Sequence, residues 1–244
     1  MNKKILITGG TSGIGLACAK YLIEKNYEVI ITGRNKESLD FAIQELENKA
    51  YGYISDTSKL NEIENLVYEV QKNHNNIDGL FINAGIFKSV SFENTTESMF
   101  DETMNINFKG AFFTIQKFLP LLTTGSSIVL NTSIAVFKAF PNTSVYTASK
   151  AALESLAQVL NLELASRKIR VNIVSPGVTR TPIQQKSGMT EEAINNLLQH
   201  FATTSPIGRV VLPEDIAPIV GFLISEASSV LRNEKIIVDG GTTL

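Results

Sequence analysis

Along the 244-residue chain, short runs of β-branched and apolar residues alternate with longer stretches in which apolar positions recur every three or four residues. The short runs are Ile5-Leu6-Ile7, Val29-Ile30-Ile31, Tyr51-Gly52-Tyr53-Ile54, Leu80-Phe81-Ile82, Ser127-Ile128-Val129-Leu130, Val171-Asn172-Ile173-Val174 and Ile236-Ile237-Val238. They predict seven strands. The runs lack strict apolar–polar alternation, which suits strands covered on both faces, and the helix-length spacers between them require parallel crossovers. The expected fold class is α/β: a doubly wound, seven-stranded, mostly parallel sheet with helices on both faces.

Phe100, Met104, Phe108, Ala111, Ile115 and Phe118 are spaced by steps of four and three, which places them on one stripe of a helix packed on the sheet. Residues 145–165 repeat the pattern, and Arg167 and Lys168 beyond them suit the negative pole of that helix. Residues 179–204 break the alternation just after a strand, with Gly188 ahead of a short helical pattern from Glu191 to Phe201. A long excursion at that place predicts a lid or specificity loop, set within one domain spanning residues 1–244.

Composition narrows the function. The formal charge of −2 comes from 22 basic and 24 acidic residues with no block of one sign, so the chain carries no electrostatic footprint for nucleic acid or anionic lipid. Cys18 is the single cysteine and His74 and His200 are the only histidines, which excludes a disulfide framework or a Cys/His metal cluster within one chain. Cys18 falls on an apolar helix stripe and is expected in the core. No apolar run reaches membrane-spanning length, and the run after Lys3-Lys4 is shorter than the core of a signal peptide. A cytoplasmic protein with no nucleic-acid, membrane or metal partner is expected.

Thr8-Gly9-Gly10-Thr11-Ser12-Gly13-Ile14-Gly15 joins the first strand to the first helix. Glycines there let the backbone turn tightly and approach a pyrophosphate at a helix N-terminus. The spacing, Gly-x-x-x-Gly-x-Gly, differs from the general dinucleotide fingerprint, but the strand–turn–helix context is the one such a motif requires. An adenosine ribose should then meet the end of the second strand, which reads Thr32-Gly33-Arg34-Asn35. A carboxylate there would bind a 2′-hydroxyl, whereas Arg34 can stack on adenine and pair with a 2′-phosphate. NADP(H) is therefore expected in preference to NAD(H).

Tyr146-x-x-x-Lys150 sets a phenol and an ammonium one helical turn apart, where the cation favours phenolate and the phenol can act as a general acid. The same spacing occurs at Tyr21/Lys25 and Tyr68/Lys72. Only Tyr146 follows a strand end that carries a candidate partner, Ser133, and sites in such sheets lie beyond the strands' carboxyl ends.

With these motifs in order the chain resembles the short-chain dehydrogenase/reductase family over essentially its whole length. The glycine turn is similar to the family's cofactor turn, Asn83-Ala84-Gly85 to its Asn-Ala-Gly, and Asn107-Phe108-Lys109-Gly110 to its Asn-x-x-Gly. Ser133, Tyr146 and Lys150 resemble its Ser-Tyr-Lys core. Asn172 to Gly177 resembles its Asn-x-x-x-Pro-Gly run, and Asp239-Gly240-Gly241 its C-terminal Asp-Gly-Gly.

The resemblance implies a Rossmann-fold, NAD(P)-dependent oxidoreductase acting on a small carbonyl or alcohol substrate. It implies Tyr146 as proton donor or acceptor, Ser133 orienting the substrate oxygen, Lys150 holding the nicotinamide ribose, and Asn107 supporting a water that links Lys150 to solvent. It also implies a cofactor site formed by Gly9, Thr11, Ser12, Gly13, Ile14 and Gly15 in the turn, Asp56 and Thr57 at the adenine, and Asn83, Ala84 and Gly85 along the adenosine ribose. Pro176, Gly177, Val178, Thr179 and Thr181 would surround the carboxamide, and a homotetramer or homodimer would be built on the two long helices. Three positions depart from the pattern, one of them Asn233, which stands where a glycine is common near the end. Ile82 precedes Asn83 where a second asparagine is frequent, and Ser12 stands where many NADP-dependent members carry a basic residue, which leaves more of the phosphate recognition to Arg34. The rival readings are a non-catalytic dinucleotide sensor of the same fold, which has no need of Ser133, Tyr146 and Lys150 together, and a methyltransferase, which would use a carboxylate after the second strand.

Overall fold

The computed structural model describes residues 2–244. Its strands are β1 (Lys4–Ile7), β2 (Glu28–Gly33), β3 (Ala50–Ile54), β4 (Ile77–Ile82), β5 (Leu122–Asn131), β6 (Arg170–Pro176) and β7 (Lys235–Val238). They form one sheet in the order β3-β2-β1-β4-β5-β6-β7, and every pairing is parallel. The helices are α1 (Gly13–Glu24), α2 (Lys36–Glu45), α3 (Leu60–His74), α4 (Glu97–Met104), α5 (Gly110–Phe118), α6 (Ser144–Glu163), α7 (Ile183–Lys186), α8 (Glu191–Thr204) and α9 (Pro213–Ile224). This is the doubly wound Rossmann architecture.

The unalternating strands are explained by two cores. Leu6, Ile30, Leu80, Leu130 and Ile173 point to one face, where they meet Ile115, Phe118, Leu153 and Ala157 of α5 and α6. Ile5, Ile7, Val29, Ile31, Phe81 and Val129 point to the other, against Cys18 and Leu22 of α1 and Val220 and Leu223 of α9. Each such side chain stabilises the fold by roughly 1.5–3 kcal/mol through burial. Chain order reverses direction between β1 and β4, and the crevice beyond their carboxyl ends is where such sheets bind ligands.

Two expectations are corrected in the helices. The stripe holds for Phe108, which packs half-buried on the core, and for Ala111, Ile115 and Phe118, but Phe100 is 47% exposed, Met104 is only half-buried, and Thr103, Ile106 and Asn107 are buried beside them. A π-helical turn at Asn105–Lys109, between α4 and α5, interrupts the regular α-helical spacing there. On that turn Asn107 is fully buried beside the half-buried Phe108. Arg167, expected at the end of α6, donates instead to the carbonyls of Leu119 and Leu122 at 2.9 and 2.6 Å, beyond the end of α5. Among the described residues no helix is long and apolar enough to cross a membrane.

Candidate active site

The glycine turn is closed by backbone geometry. Gly9 has a φ of +64°, and a side chain there would meet the Ala84 backbone at 3.0 Å. A Cβ at Gly15 would lie 2.3 Å from the Gly9 carbonyl oxygen, so the first turn of α1 can approach the loop only as glycine. Ser12 is the N-cap of α1 but makes no side-chain cap, which leaves the leading N–H groups without that partner. Its hydroxyl instead accepts from Lys186 Nζ at 3.4 Å, and Thr181 lies 3.1 Å from where a Gly13 side chain would start. The excursion after β6 therefore reaches across the turn.

A polar chain runs from this turn to the other half of the site. Thr8 Oγ1 accepts from the backbone N–H groups of Asn83 and Ala84 at 2.9 and 3.0 Å. The Asn83 amide donates to the carbonyls of Thr8 and Gly9, both at 3.0 Å, and its oxygen accepts from Asn131 Nδ2 at 2.9 Å. The Asn131 carbonyl in turn accepts from Lys150 Nζ at 2.8 Å. Asn131 Oδ1 is buried without a partner among the described residues. Such an acceptor costs about 1–3 kcal/mol unless a donor such as a sugar hydroxyl satisfies it.

Tyr146 sits in the first turn of α6 and Lys150 one turn on, with Nζ 5.8 Å from the phenol ring centroid. The Phe87 ring meets that of Tyr146 edge to face at 5.0 Å. Burial raises the Tyr146 phenol above its ordinary pKa, and the Ser133 hydroxyl opposes the rise. Ser133 caps the short turn Ile134–Val136, its Oγ accepting from Ala135 N at 3.2 Å, so its own proton is available to another acceptor. Lys150 is 4% exposed, and burial lowers its pKa to about 8. From helical spacing alone the ammonium is expected to lower the phenol's pKa. In the structure Ser133 supplies the lowering influence, while the ammonium is engaged by the Asn131 carbonyl. The other two Tyr/Lys pairs have no such company: Tyr21 packs beneath Gly221 of α9, and Tyr68 is 63% exposed.

Asn107, fully buried on the π turn, accepts from Ile86 N at 2.8 Å and donates to Ile86 O at 3.0 Å and Ser149 Oγ at 3.1 Å. Ser149 Oγ donates to Tyr146 O at 2.6 Å, so Asn107 ties the segment after β4 to the turn of α6 that carries Tyr146. Gly85 lies between Asn107 and Lys150: a Cβ there would stand 3.2 Å from Asn107 Oδ1 and 3.4 Å from Lys150 Nζ.

At the opposite end, Arg34 and Asp56 line an open cleft of about 630 Å³ together with Ser58, Ile106 and the carboxylates of Glu97, Asp101 and Glu102. Burial acts to raise the Asp56 pKa, but hydrogen bonds from Ser58 N and Oγ at 3.0 and 2.8 Å, with the charges of Arg34 and Lys59, hold it below the usual carboxylate range. Thr57 is buried nearby, its carbonyl against Gly110. Pro176 ends β6. Gly177 then packs on Asp239, Val178 is half-buried, and Thr179 Oγ1 donates to the Gly177 carbonyl at 2.9 Å before the chain reaches Thr181 at the glycine turn.

Four contributors escaped the sequence reading: Asn131, Phe87, Lys186 and the buried Glu154 of α6. Asn131 alone left a trace there, as the polar residue that closes an apolar strand run. The glycine cradle, the uncapped start of α1 and the orphaned Asn131 oxygen fit a dinucleotide.

A family model described as enoyl-(acyl carrier protein) reductase matches residues 9–243. The human dehydrogenase/reductase SDR family member 4 is 34% identical over 99% of this chain and 87% of its own length. An NAD-dependent glycerol dehydrogenase of Listeria innocua is 34% identical over 100% of this chain and 94% of its own. Among solved structures, an actinorhodin polyketide ketoreductase variant with NADPH superposes with a TM-score of 0.91 at 28% identity, over 99% of this chain and 97% of that one.

Proposed function

The chain belongs to the short-chain dehydrogenase/reductase family and is an oxidoreductase acting on CH–OH or C=O groups; from that premise we propose that it reduces a small carbonyl substrate with NADPH, using Tyr146 as the general acid. The observation that carries this reading is the gathering of Ser133, Tyr146 and Lys150 beyond β5, joined through Asn131 and Asn83 to the glycine turn.

The nicotinamide, when bound, supplies the hydride. Ser133, whose hydroxyl proton is not used by the cap at Ala135, donates to the substrate carbonyl oxygen and holds it beside the phenol. Tyr146 gives its proton to that oxygen as negative charge develops there, and Lys150 stabilises the phenolate left behind. The Asn131 carbonyl keeps the ammonium in place, and Phe87 fixes the plane of the phenol ring. The glycine turn and the start of α1 receive the pyrophosphate, with Asp56 and Thr57 at the adenine and Asn83 to Gly85 along the adenosine ribose. Pro176 to Thr181 hold the carboxamide. Arg34 selects the 2′-phosphate, since no carboxylate of β2 competes for a 2′-hydroxyl, although relatives include an NAD-dependent enzyme and a ketoreductase solved with NADPH. Residues 179–204 act as a substrate-side lid on a single catalytic domain, working in the cytoplasm as a homotetramer or homodimer.

The test is NADPH oxidation against a panel of ketones and aldehydes, repeated with Tyr146→Phe. The variant should lose about 10²–10⁴ of kcat, the usual share of general acid catalysis, while dinucleotide Kd stays close to that of the wild type. Near-normal turnover by the variant would remove Tyr146 from the mechanism.

A further inference from the structure

Glu154 lies on α6 one helical turn beyond Lys150 and is 6% exposed. A carboxylate so buried must be paired or hydrogen-bonded to stay charged, and it has two partners. Its Oε1 accepts from Thr132 Oγ1 at 3.2 Å, and Lys235 of β7 pairs with its Oε2. Lys235 in turn lies over the Phe137 ring, with Nζ 5.5 Å from the centroid.

Thr132 immediately precedes Ser133. Its hydroxyl is 2.7 Å from Ser175 Oγ and its N–H donates to the Val174 carbonyl at 2.9 Å. One arrangement satisfies the group: Ser175 donates to Thr132, and Thr132 donates to Glu154. The helix that carries Tyr146 and Lys150 thus grips the strand end that carries Ser133 at two successive residues, Lys150 on the Asn131 carbonyl and Glu154 on the Thr132 hydroxyl. Lys150 is committed to chemistry, whereas Glu154 touches no reacting atom.

We propose that Glu154 is a positioning residue, acting through Thr132 to set where the Ser133 hydroxyl stands against the Tyr146 oxygen, with Lys235 as its counter-charge. This rests on the reading of Ser133 and Tyr146 given above. Its loss displaces Ser133, which weakens the hold on the substrate oxygen and removes the influence that opposes the burial-driven rise of the phenol pKa. The glycine turn belongs to a different strand end and keeps its dinucleotide.

The experiment compares Glu154→Leu, Glu154→Gln, Thr132→Val and the double variant Thr132→Val/Glu154→Leu for kcat, KM, dinucleotide Kd and the pH dependence of kcat/KM. Glu154→Leu should lower kcat about ten- to a hundred-fold, the scale of a sub-ångström to ångström misplacement, with dinucleotide Kd unchanged. Read in the direction of alcohol oxidation, where the phenol must be deprotonated, the limb that the phenol sets should move upward. Glu154→Gln keeps an acceptor for Thr132 and should recover most of the rate. Thr132→Val should reproduce the Leu defect, and the double variant should be no worse than either single one, because one link is being cut. Wild-type kcat and pH profile in a folded Glu154→Leu, additive losses in the double variant, or an equal loss of dinucleotide affinity overturns the proposal. If Glu154→Leu fails to fold, Thr132→Val and Glu154→Gln decide it by the same criteria. A wild-type enzyme that turns over no carbonyl or alcohol overturns the functional reading itself. An active wild type with indifferent variants overturns only this inference.

Discussion

Replacing Lys150 with Met separates what the site needs for catalysis from what the fold needs for stability. The ammonium is 4% exposed and donates to a single carbonyl, Asn131 O. Burial lowers its pKa from 10.5 to about 8, which amounts to roughly 3 kcal/mol of destabilisation of the folded state at neutral pH. Met removes that cost but strands the Asn131 carbonyl, a loss of about 1–3 kcal/mol, so the net change at pH 7 is small. The pH dependence is decisive. Between about pH 8 and 10.5 the unfolded chain binds more protons at Lys150 than the folded one, so wild-type stability rises with pH relative to the variant. The stranded carbonyl contributes equally at every pH and drops out. Urea denaturation of the cofactor-free proteins should show the wild type gaining ~2 kcal/mol on Lys150→Met between pH 7 and 10, while the variant loses carbonyl reduction. A stability difference that stays flat, or falls, across that range would show that no costly buried charge sits at Lys150.

Other outcomes follow from the same geometry. Wild-type kcat/KM for carbonyl reduction should fall as pH rises through about 8, where the free enzyme's Lys150 loses its proton; a profile level to pH 10 would argue against a charged lysine in the transition state. Arg34→Ala should weaken NADPH binding by about ten- to a hundred-fold, the worth of a charge-assisted hydrogen bond of about 1.5–3 kcal/mol, and leave NADH nearly untouched, as read by fluorescence titration with both. Equal losses for the two would mean that Arg34 only stacks on the adenine. In Gly15→Ala, the new Cβ would meet the Gly9 carbonyl at 2.3 Å, so the turn must open. Dinucleotide binding should fall sharply, with about 1–3 kcal/mol of stability lost to overpacking, both measurable by thermal denaturation with and without NADPH.

The sheet was legible because burial on two faces leaves a mark on consecutive residues. Ile5-Leu6-Ile7 divides between both cores, and each of the seven apolar runs lies within a strand. The π turn at Asn105–Lys109 left no mark, since the apolar spacing of three and four runs through it and gives no sign that Asn107 is buried beside Phe108. Arg167 does follow the end of α6, yet that proximity in sequence says nothing of the Leu119 and Leu122 carbonyls that its guanidinium serves.

The same distinction separates the parts of the site. Tyr146, Lys150 and the glycine turn stand out because local spacing alone, a helical turn or a tight loop, already constrains their chemistry. Asn131 and Glu154 are ordinary polar residues until strand order puts β5 beside β6 and α6 over both. Their partners then lie 48 residues away at Asn83, 22 at Thr132 and 81 at Lys235. These long-range links join α6 to the strand end that carries Ser133, and Lys150 through Asn131 and Asn83 to the glycine turn, which no local spacing reveals. Arg34 belongs to both sets: its neighbours Gly33 and Asn35 offer no carboxylate, while Asp56, Glu97, Asp101 and Glu102 come to share its cleft only through the fold.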